Sequence, residues 1–177
     1  MNRSDRVVRA ATQADLDAIA AIYAHHVRTG TASFEIEPPD AAEMARRRAE
    51  VVDRGLPYLV AAAGAEVVGY AYAAPYRPRP AYRFTVEDSV YVSADCARQG
   101  IGAMLLKALV SASERAGARQ MIAVIGDSAN VASIRLHAAA GFSHVGSLAS
   151  VGWKFDRWLD VVVMQRALGP GDGRPAP

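Results

Sequence analysis

The stretch YVSADCARQGIGAMLLKALV, Tyr91–Val110, joins two kinds of order. Up to Ser93 apolar and polar residues alternate, as they do along a strand with two different faces. From the glycine pair onward the apolar positions recur at helical spacing. Between the two lie a short polar connector and Gly100 and Gly102, one residue apart. Such a junction is either simply a tight turn or a place where something anionic lies against bare backbone. The opening turn of a helix has about four N–H groups without helical partners and about half a positive charge, which suits phosphate. Glycines remove the side chains that would stand between a pyrophosphate and those donors, and Arg98 and Gln99 add cationic and polar reach. A dinucleotide-binding turn would need a third glycine near Leu105 and a following strand with an acidic end, and a triphosphatase loop would need Gly-Lys-Ser/Thr, where this chain has Gly102-Ala103-Met104. What remains is a ligand whose diphosphate rests on this helix and whose other parts lie elsewhere.

Working outward, Val7–Ala10 reads as a first strand. Thr12, with Asp15 in the capping-box position, opens a helix carrying Leu16, Ile19, Tyr23 and Val27 on one face. Residues 29–39, TGTASFEIEPP, form a connector around Phe34, and Asp40 caps a second helix that runs to about Asp53. Tyr58–Ala63 and Val67–Ala74 flank the turn AGAE as a hairpin. PYRPRP, residues 75–80, cannot be sheet interior. Thr85–Ser93 is a strand, Gly100–Ala116 a helix ended by Gly117, Met121–Ile125 a buried strand. A helix opened by Ser128 or Asn130 ends before Gly141, and Phe142–Leu148 and Trp158–Arg166 finish as strands. The order β-α-α-β-β-β-α-β-α-β-β predicts a mixed, mostly antiparallel α/β sheet of about seven strands with helices on both faces.

A chain of 177 residues, 51% hydrophobic and 21% charged, suits one domain, taken as residues 7–168, with the Gly/Pro-rich stretch 169–177 as a disordered tail. No apolar run approaches the roughly 20 residues of a membrane span, and Met1–Arg9 lacks the apolar centre of a signal peptide, so the expected location is the cytoplasm. A net charge of +2 gives no case for nucleic acid, and Arg46-Arg47-Arg48 is expected as a solvated helix face. The lone Cys96 precludes an internal disulfide or a thiolate cluster, and the adjacent His25 and His26 point to different sides of a helix, so no metal site is expected.

VYVSADCARQGIGAMLLKALV followed by ANVASIRLHAAAGF resembles the two core motifs of the GNAT N-acetyltransferases. TASFEIEPP, YRFTVEDSVYV, SIRLHAAAGF and VGWKFDRWLDVVVMQ together resemble the phosphinothricin and methionine-sulfoximine N-acetyltransferase branch, over about Val7 to Leu168. One departure stands out: where the family motif has Gln or Arg three residues before the first glycine, this chain has Ala97, so Arg98 or Gln99 is expected to take over that contact.

The resemblance implies acetyl transfer from acetyl-CoA to a primary amine. Gly100, Ile101, Gly102 and Ala103 would offer backbone donors to the diphosphate. Val90, Tyr91 and Val92 would hold the pantetheine arm as a strand holds its neighbour, with strands splayed at that place. Asn130 and Ser133 would meet the arm from the other side. An ammonium must lose a proton before it attacks, which assigns Glu87 as base. His137 stands where many relatives have Tyr and would protonate the leaving thiolate, although a histidine packed under the sheet fits the same position. An amino acid carboxylate wants arginines, found at Arg77, Arg79 and Arg83 around Pro78. Asp88, Ser89, Phe34, Glu35 and Lys154 complete the expected substrate site, with Phe34 equally suited to the core. Trp153 and Trp158 are expected as core or interface anchors, and the family implies a homodimer. Two readings stay open beside the small amine: acetylation of a peptide or protein N-terminus, and a non-catalytic acyl-CoA-binding module.

Overall fold

In a computed structural model, which describes residues 6–175, strand β1 (Arg6–Ala10) leads to a helical turn whose opening is the expected box: the Thr12 N–H donates to Asp15 Oδ2 at 2.7 Å. Helix α1 (Leu16–Thr29) follows, and Asp40 accepts the Glu43 N–H at 2.8 Å to cap α2 (Ala41–Asp53). Strands β2 (Tyr58–Ala63), β3 (Glu66–Pro75) and β4 (Thr85–Val92) precede α3 (Ile101–Arg115), β5 (Gln120–Gly126), α4 (Val131–Ala139), β6 (Ser143–Lys154) and β7 (Arg157–Ala167). Much of the reading of a leader-free N-terminus rests on residues 1–5, which lie outside the described residues, as do residues 176–177. The stretch read as a disordered tail makes contacts up to Pro175, because Arg119 donates to the carbonyls of Gly171 (3.2 Å) and Pro175 (3.1 Å).

The sheet has the order β1-β2-β3-β4-β5-β7-β6, and only β4 and β5 run parallel. Strand β6 runs six residues past its expected end at Leu148, to Lys154. Its register against β7 shifts at His144/Gly146 and again at Leu148/Gly152, and each shift breaks the alternation that a sequence pattern depends on.

The two sheet faces have separate cores. Ile101, Leu105, Leu106 and Leu109 of α3 pack with Val86, Met121 and Ala123, while Ile19, Tyr23 and Val27 of α1 and Met44 of α2 pack with Val60 and Tyr70. Alternation along β4 follows from this. Val86, Val90 and Val92 meet the α3 core and Tyr91 the α1 core, so Asp88 points with the first set and Glu87 and Ser89 with the second.

The arginine triplet of α2 does not share one solvated face, because successive helical residues point about 100° apart. Arg46 stays outside and pairs with Glu43 at 2.7 Å, whereas Arg47 reaches Glu35 at 2.6 Å and Arg48 donates to the Ala11 carbonyl. Trp153 and Trp158 are not core residues either. They are 53% and 62% exposed and meet edge to face at 5.2 Å near the β6–β7 turn.

Gly69 of β3 is the seat of the first turn of α3. A Cβ there would lie 2.9 Å from the Tyr91 carbonyl oxygen, 3.1 Å from Leu105 Cδ1 and 3.3 Å from Ile101 Cγ2. The backbone contact cannot yield by rotation, so Gly69→Ala is expected to cost about 1–3 kcal/mol, read as a lowered midpoint in urea unfolding.

Candidate active site

Strands β4 and β5 pair only from Thr85↔Gln120 to Asp88↔Ala123. Beyond that both continue without each other. On β4, Ser93 N–H donates to Val68 O (2.9 Å) and Tyr76 N–H to Thr85 O (3.2 Å). In that register Ser89 and Tyr91 exchange bonds with β3, while Val90 and Val92 turn their backbone groups toward β5. On β5, Asp127 N–H donates to Asp160 O (2.8 Å), so Ala123 and Ile125 serve β7 while Val124 and Gly126 face β4. The result is a wedge-shaped gap with peptide donors and acceptors on both walls. His26 Nε2 donates to the Val92 carbonyl at 2.8 Å, and burial lowers the histidine's pKa. Of the three residues expected to bind an arm by backbone, Val90 and Val92 face the gap. Tyr91 does not: its backbone belongs to the β3 ladder and its ring stacks on Tyr70 at 5.2 Å.

The glycine turn stands at one side of this gap. Gly100 has φ +82° and Arg98 φ +60°, and such left-handed residues near one another curl successive N–H groups into a concave surface. The first helical bond is Met104 N–H to Gly100 O at 3.1 Å, so the N–H groups of Ile101, Gly102 and Ala103 precede the ladder. At Gly102 a Cβ would lie 3.3 Å from Leu136 Cδ2 and 3.7 Å from Val92 Cγ2, so the glycine also lets α3 approach α4. The turn is therefore both tight and rich in donors. Gln99 is turned toward β1: Arg6 donates to its carbonyl at 3.0 Å and to its side-chain oxygen, and its amide NH₂ keeps only a 3.4 Å contact to the Asp95 carbonyl. From Ala103 a cleft of about 970 Å³ continues between α3 and α4, past Lys107, Leu136 and Arg166. On the far wall, Asn130 Oδ1 accepts the Ser133 N–H at 3.2 Å, which caps α4 and leaves the amide NH₂ as a donor.

Two neighbouring carboxylates lie on opposite faces just where the strands part. Glu87 is half-buried on the α1 side. Burial first, and then the charge of Asp88, raise its pKa, against a smaller opposing effect of Arg77. Asp88 is buried on the α3 side, where Oδ2 meets His137 Nε2 at 3.0 Å while Oδ1 has no partner. His137 Nδ1 lies 2.8 Å from the Ser133 carbonyl, which can only accept, so Nδ1 carries a proton. Burial lowers the His137 pKa, but the bond and charge of Asp88 outweigh it and the net shift is upward. Asp88 therefore holds His137 rather than facing a substrate on the Glu87 side.

A cleft of about 1040 Å³ runs from α2 along the β3–β4 connection to the end of α3, lined by Tyr72, the loop Arg77–Pro78–Arg79, Arg83, Arg47 of α2, Arg54 just after it, and Ala118; Glu87 is not among its lining residues. Arg77 lies over the Tyr76 ring at 5.0 Å and Arg83 over Phe84 at 4.5 Å, which leaves their charge for an anion. Ser89 stands opposite Tyr72 on the Glu87 face. Glu35 accepts from Tyr23 Oη at 2.8 Å and from Arg47 at 2.6 Å, so its carboxylate is used within the chain. Lys154 is likewise turned inward, donating to the carbonyls of Gly30 (2.9 Å) and Ser33 (2.7 Å). It fastens the connector and makes no part of the arginine-lined cleft, in contrast with the expected substrate contact.

Sequence reasoning missed Arg47, Tyr72, Val124 and Gly126 as parts of the site. A glycine closing a strand signals close backbone approach, and Gly126 could have been found that way. Nothing local marks Arg47, whose neighbours in sequence look like a solvated run.

The pattern of the acetyltransferase (GNAT) family matches residues 19–142. The chain is 59% identical over 165 residues to a phosphinothricin N-acetyltransferase of Alcaligenes faecalis, covering 93% of this chain and 84% of that one. It is 41% identical over 169 residues to an L-methionine sulfoximine/L-methionine sulfone acetyltransferase of Pseudomonas aeruginosa, covering 95% and 98%. A Sinorhizobium meliloti phosphinothricin acetyltransferase crystallised in complex with AcCoA superimposes with TM-score 0.94 at 45% identity, covering 98% of this chain and 94% of that one. The chain belongs to the acetyltransferase (GNAT) family.

The Asp88–His137 pair has a pH signature. A histidine whose folded pKa is raised adds stability that is full below its unfolded pKa and is lost as pH rises through the folded value. Asp88→Asn is expected to lower the melting temperature strongly at about pH 6 and much less at about pH 9, as thermal unfolding at the two pH values would reveal.

Proposed function

We propose that this GNAT-family chain transfers the acetyl group of acetyl-CoA to the α-amine of a small amino acid analogue of the phosphinothricin or methionine sulfoximine type. The observation that carries the reading is the parted β4–β5 pair beside the glycine turn, with Glu87 at the apex of the gap. The printed activities of the relatives support the substrate class.

The residues fit the co-substrate. The N–H groups of Ile101, Gly102 and Ala103 meet the diphosphate, with Arg98 at its edge. Val90 and Val92 on one wall, Val124 and Gly126 on the other, and the Asn130 amide satisfy the peptide-like groups of the pantetheine arm. Acetyl-CoA supplies an activated acyl group as a thioester. Arg77, Arg79 and Arg83 bind the carboxylate and the phosphinate or sulfoximine oxygens of the amine substrate. Glu87, kept partly protonatable by burial, accepts the ammonium proton directly or through water, so the amine attacks as a free base. His137, 4% exposed and bonded through Nδ1 to the Ser133 carbonyl and through Nε2 to Asp88, supports the packed-histidine reading and fixes the apex of the gap from the opposite face, while the departing thiolate takes its proton from water.

The finer partner and location readings follow the same reasoning. Val151, Trp153, Phe155 and Trp158 are all more than half exposed, and we take this apolar hairpin as the contact that forms a homodimer. No helix among the described residues is long and apolar enough to cross a membrane, and the use of acetyl-CoA supports the cytoplasmic reading.

A substrate panel followed by thiol release tests the reading. Methionine sulfoximine, methionine sulfone and phosphinothricin are expected to be acetylated well, free amino acids poorly and a peptide N-terminus not at all; turnover of the peptide alone would replace this reading. Glu87→Gln is expected to lose turnover at neutral pH and to recover part of it at high pH, where the amine is already neutral; a pH-independent loss would remove Glu87 from the base role. Gly102→Val is expected to raise the KM for acetyl-CoA roughly tenfold or more with little change in the KM for the amine.

A further inference from the structure

The connector between α1 and α2 crosses the open end of the β4–β5 gap, and it is fastened from the far end of the sheet. Lys154, the last residue of β6, is only 4% exposed, and two of its ammonium protons go to the carbonyls of Gly30 and Ser33. Burial without a carboxylate bond is costly for an ammonium, which speaks for a positional role over a stabilising one. Two residues earlier on the same strand, Gly152 receives the Phe34 ring: a Cβ there would lie 2.1 Å from Phe34 Cε2. Gly126, at the end of β5 where the gap opens, receives its other edge, with a would-be Cβ 2.9 Å from Phe34 Cε1 and 2.5 Å from the Thr31 carbonyl oxygen. Asp127 adds a bond from Thr31 Oγ1 at 2.9 Å. The ring thus reaches both Gly126 of β5 and Gly152 of β6, and the residue remains 36% exposed.

We propose that Lys154 is a positioning residue for specificity: by pinning Gly30 and Ser33 it holds Phe34 across the end of the gap, and Phe34 caps the space for the acceptor's side chain, admitting short polar amino acid analogues and excluding aromatic ones. The proposal rests on the small-amine reading above. Lys154 has no part in the proton transfers. Its removal leaves the acetyl-CoA site intact and lets the wall swing.

The test uses the full chain with Lys154→Met, Lys154→Arg and Gly152→Ala. For Lys154→Met the KM for methionine sulfoximine is expected to rise roughly tenfold, the KM for acetyl-CoA and the turnover at saturating amine to stay within about threefold, and kcat/KM for L-phenylalanine relative to methionine sulfoximine to increase. Lys154→Arg, which keeps donors for both carbonyls, should restore most of the wild-type discrimination. Gly152→Ala displaces the ring without touching the lysine and should relax discrimination in the same direction, which keeps the test decisive if Lys154→Met fails to fold. Hydrogen exchange of residues 30–36, measured without any substrate, should quicken in Lys154→Met. Unchanged exchange, or a loss of turnover shared by all amines with discrimination intact, overturns the proposal. Failure of the wild-type chain to acetylate methionine sulfoximine is a failure of the small-amine reading, and the exchange measurement still judges the pinning.

Discussion

The parting of β4 and β5 after Asp88↔Ala123 is the constraint on which the rest of the molecule depends. A parallel pair in the middle of a sheet would ordinarily satisfy every peptide group on both sides. Here each strand keeps its outer neighbour, β3 or β7, and gives up its inner one. Peptide groups left facing each other need partners, so the split in the sheet is shaped for an extended, amide-bearing molecule. The glycine turn and the capped start of α4 lie on either side of that place. Backbone donors at a helix start and backbone edges in a split sheet together describe a ligand with a diphosphate at one end and a peptide-like arm behind it.

The same point of parting separates two kinds of chemistry. Because side chains alternate along a strand, adjacent residues Glu87 and Asp88 look in opposite directions. Glu87 lies on the face of the α1 core near Tyr72 and Arg77, where burial and then the charge of Asp88 lift its pKa against a smaller effect of Arg77. Asp88 meets His137, where burial lowers the imidazole's pKa and the bonded carboxylate turns the net shift upward. A half-buried carboxylate lies on one face and a buried carboxylate–imidazole pair on the other, at the point where the strands part. Neither group could serve the other's role from its own side.

The acceptor side is built from long-range contacts. The connector lies on α1, α2 and β6 at once, through Tyr23, Arg47 and Lys154. Its glutamate and the lysine are turned inward and shape the cleft without binding in it. The exposed Arg77 and Arg83, in and after the proline-rich loop, lie over the rings of Tyr76 and Phe84. Roles that look interchangeable among charged residues in the sequence are divided by which partner folding brings within reach.

Strand and helix order, the caps at Thr12 and Asp40, a cap for α4 at Ser128 or Asn130, the mixed sheet and the glycine turn were legible in the sequence, because each depends on residues within a few positions of one another. Glu87 entered through the resemblance to the family's motifs, and its place in a mostly apolar strand is consistent with that reading. Only the tertiary structure decided that Asp88 belongs to His137, that Tyr91 gives its backbone to β3, that Lys154 fastens a loop 121 residues away, and that Arg47 leaves its solvated-looking run for Glu35. Those assignments turn on register, on two breaks in the β6–β7 pairing and on contacts between distant segments. Local periodicity carries no record of them, since the free energy that chooses each partner exists only once the sheet has brought the segments together.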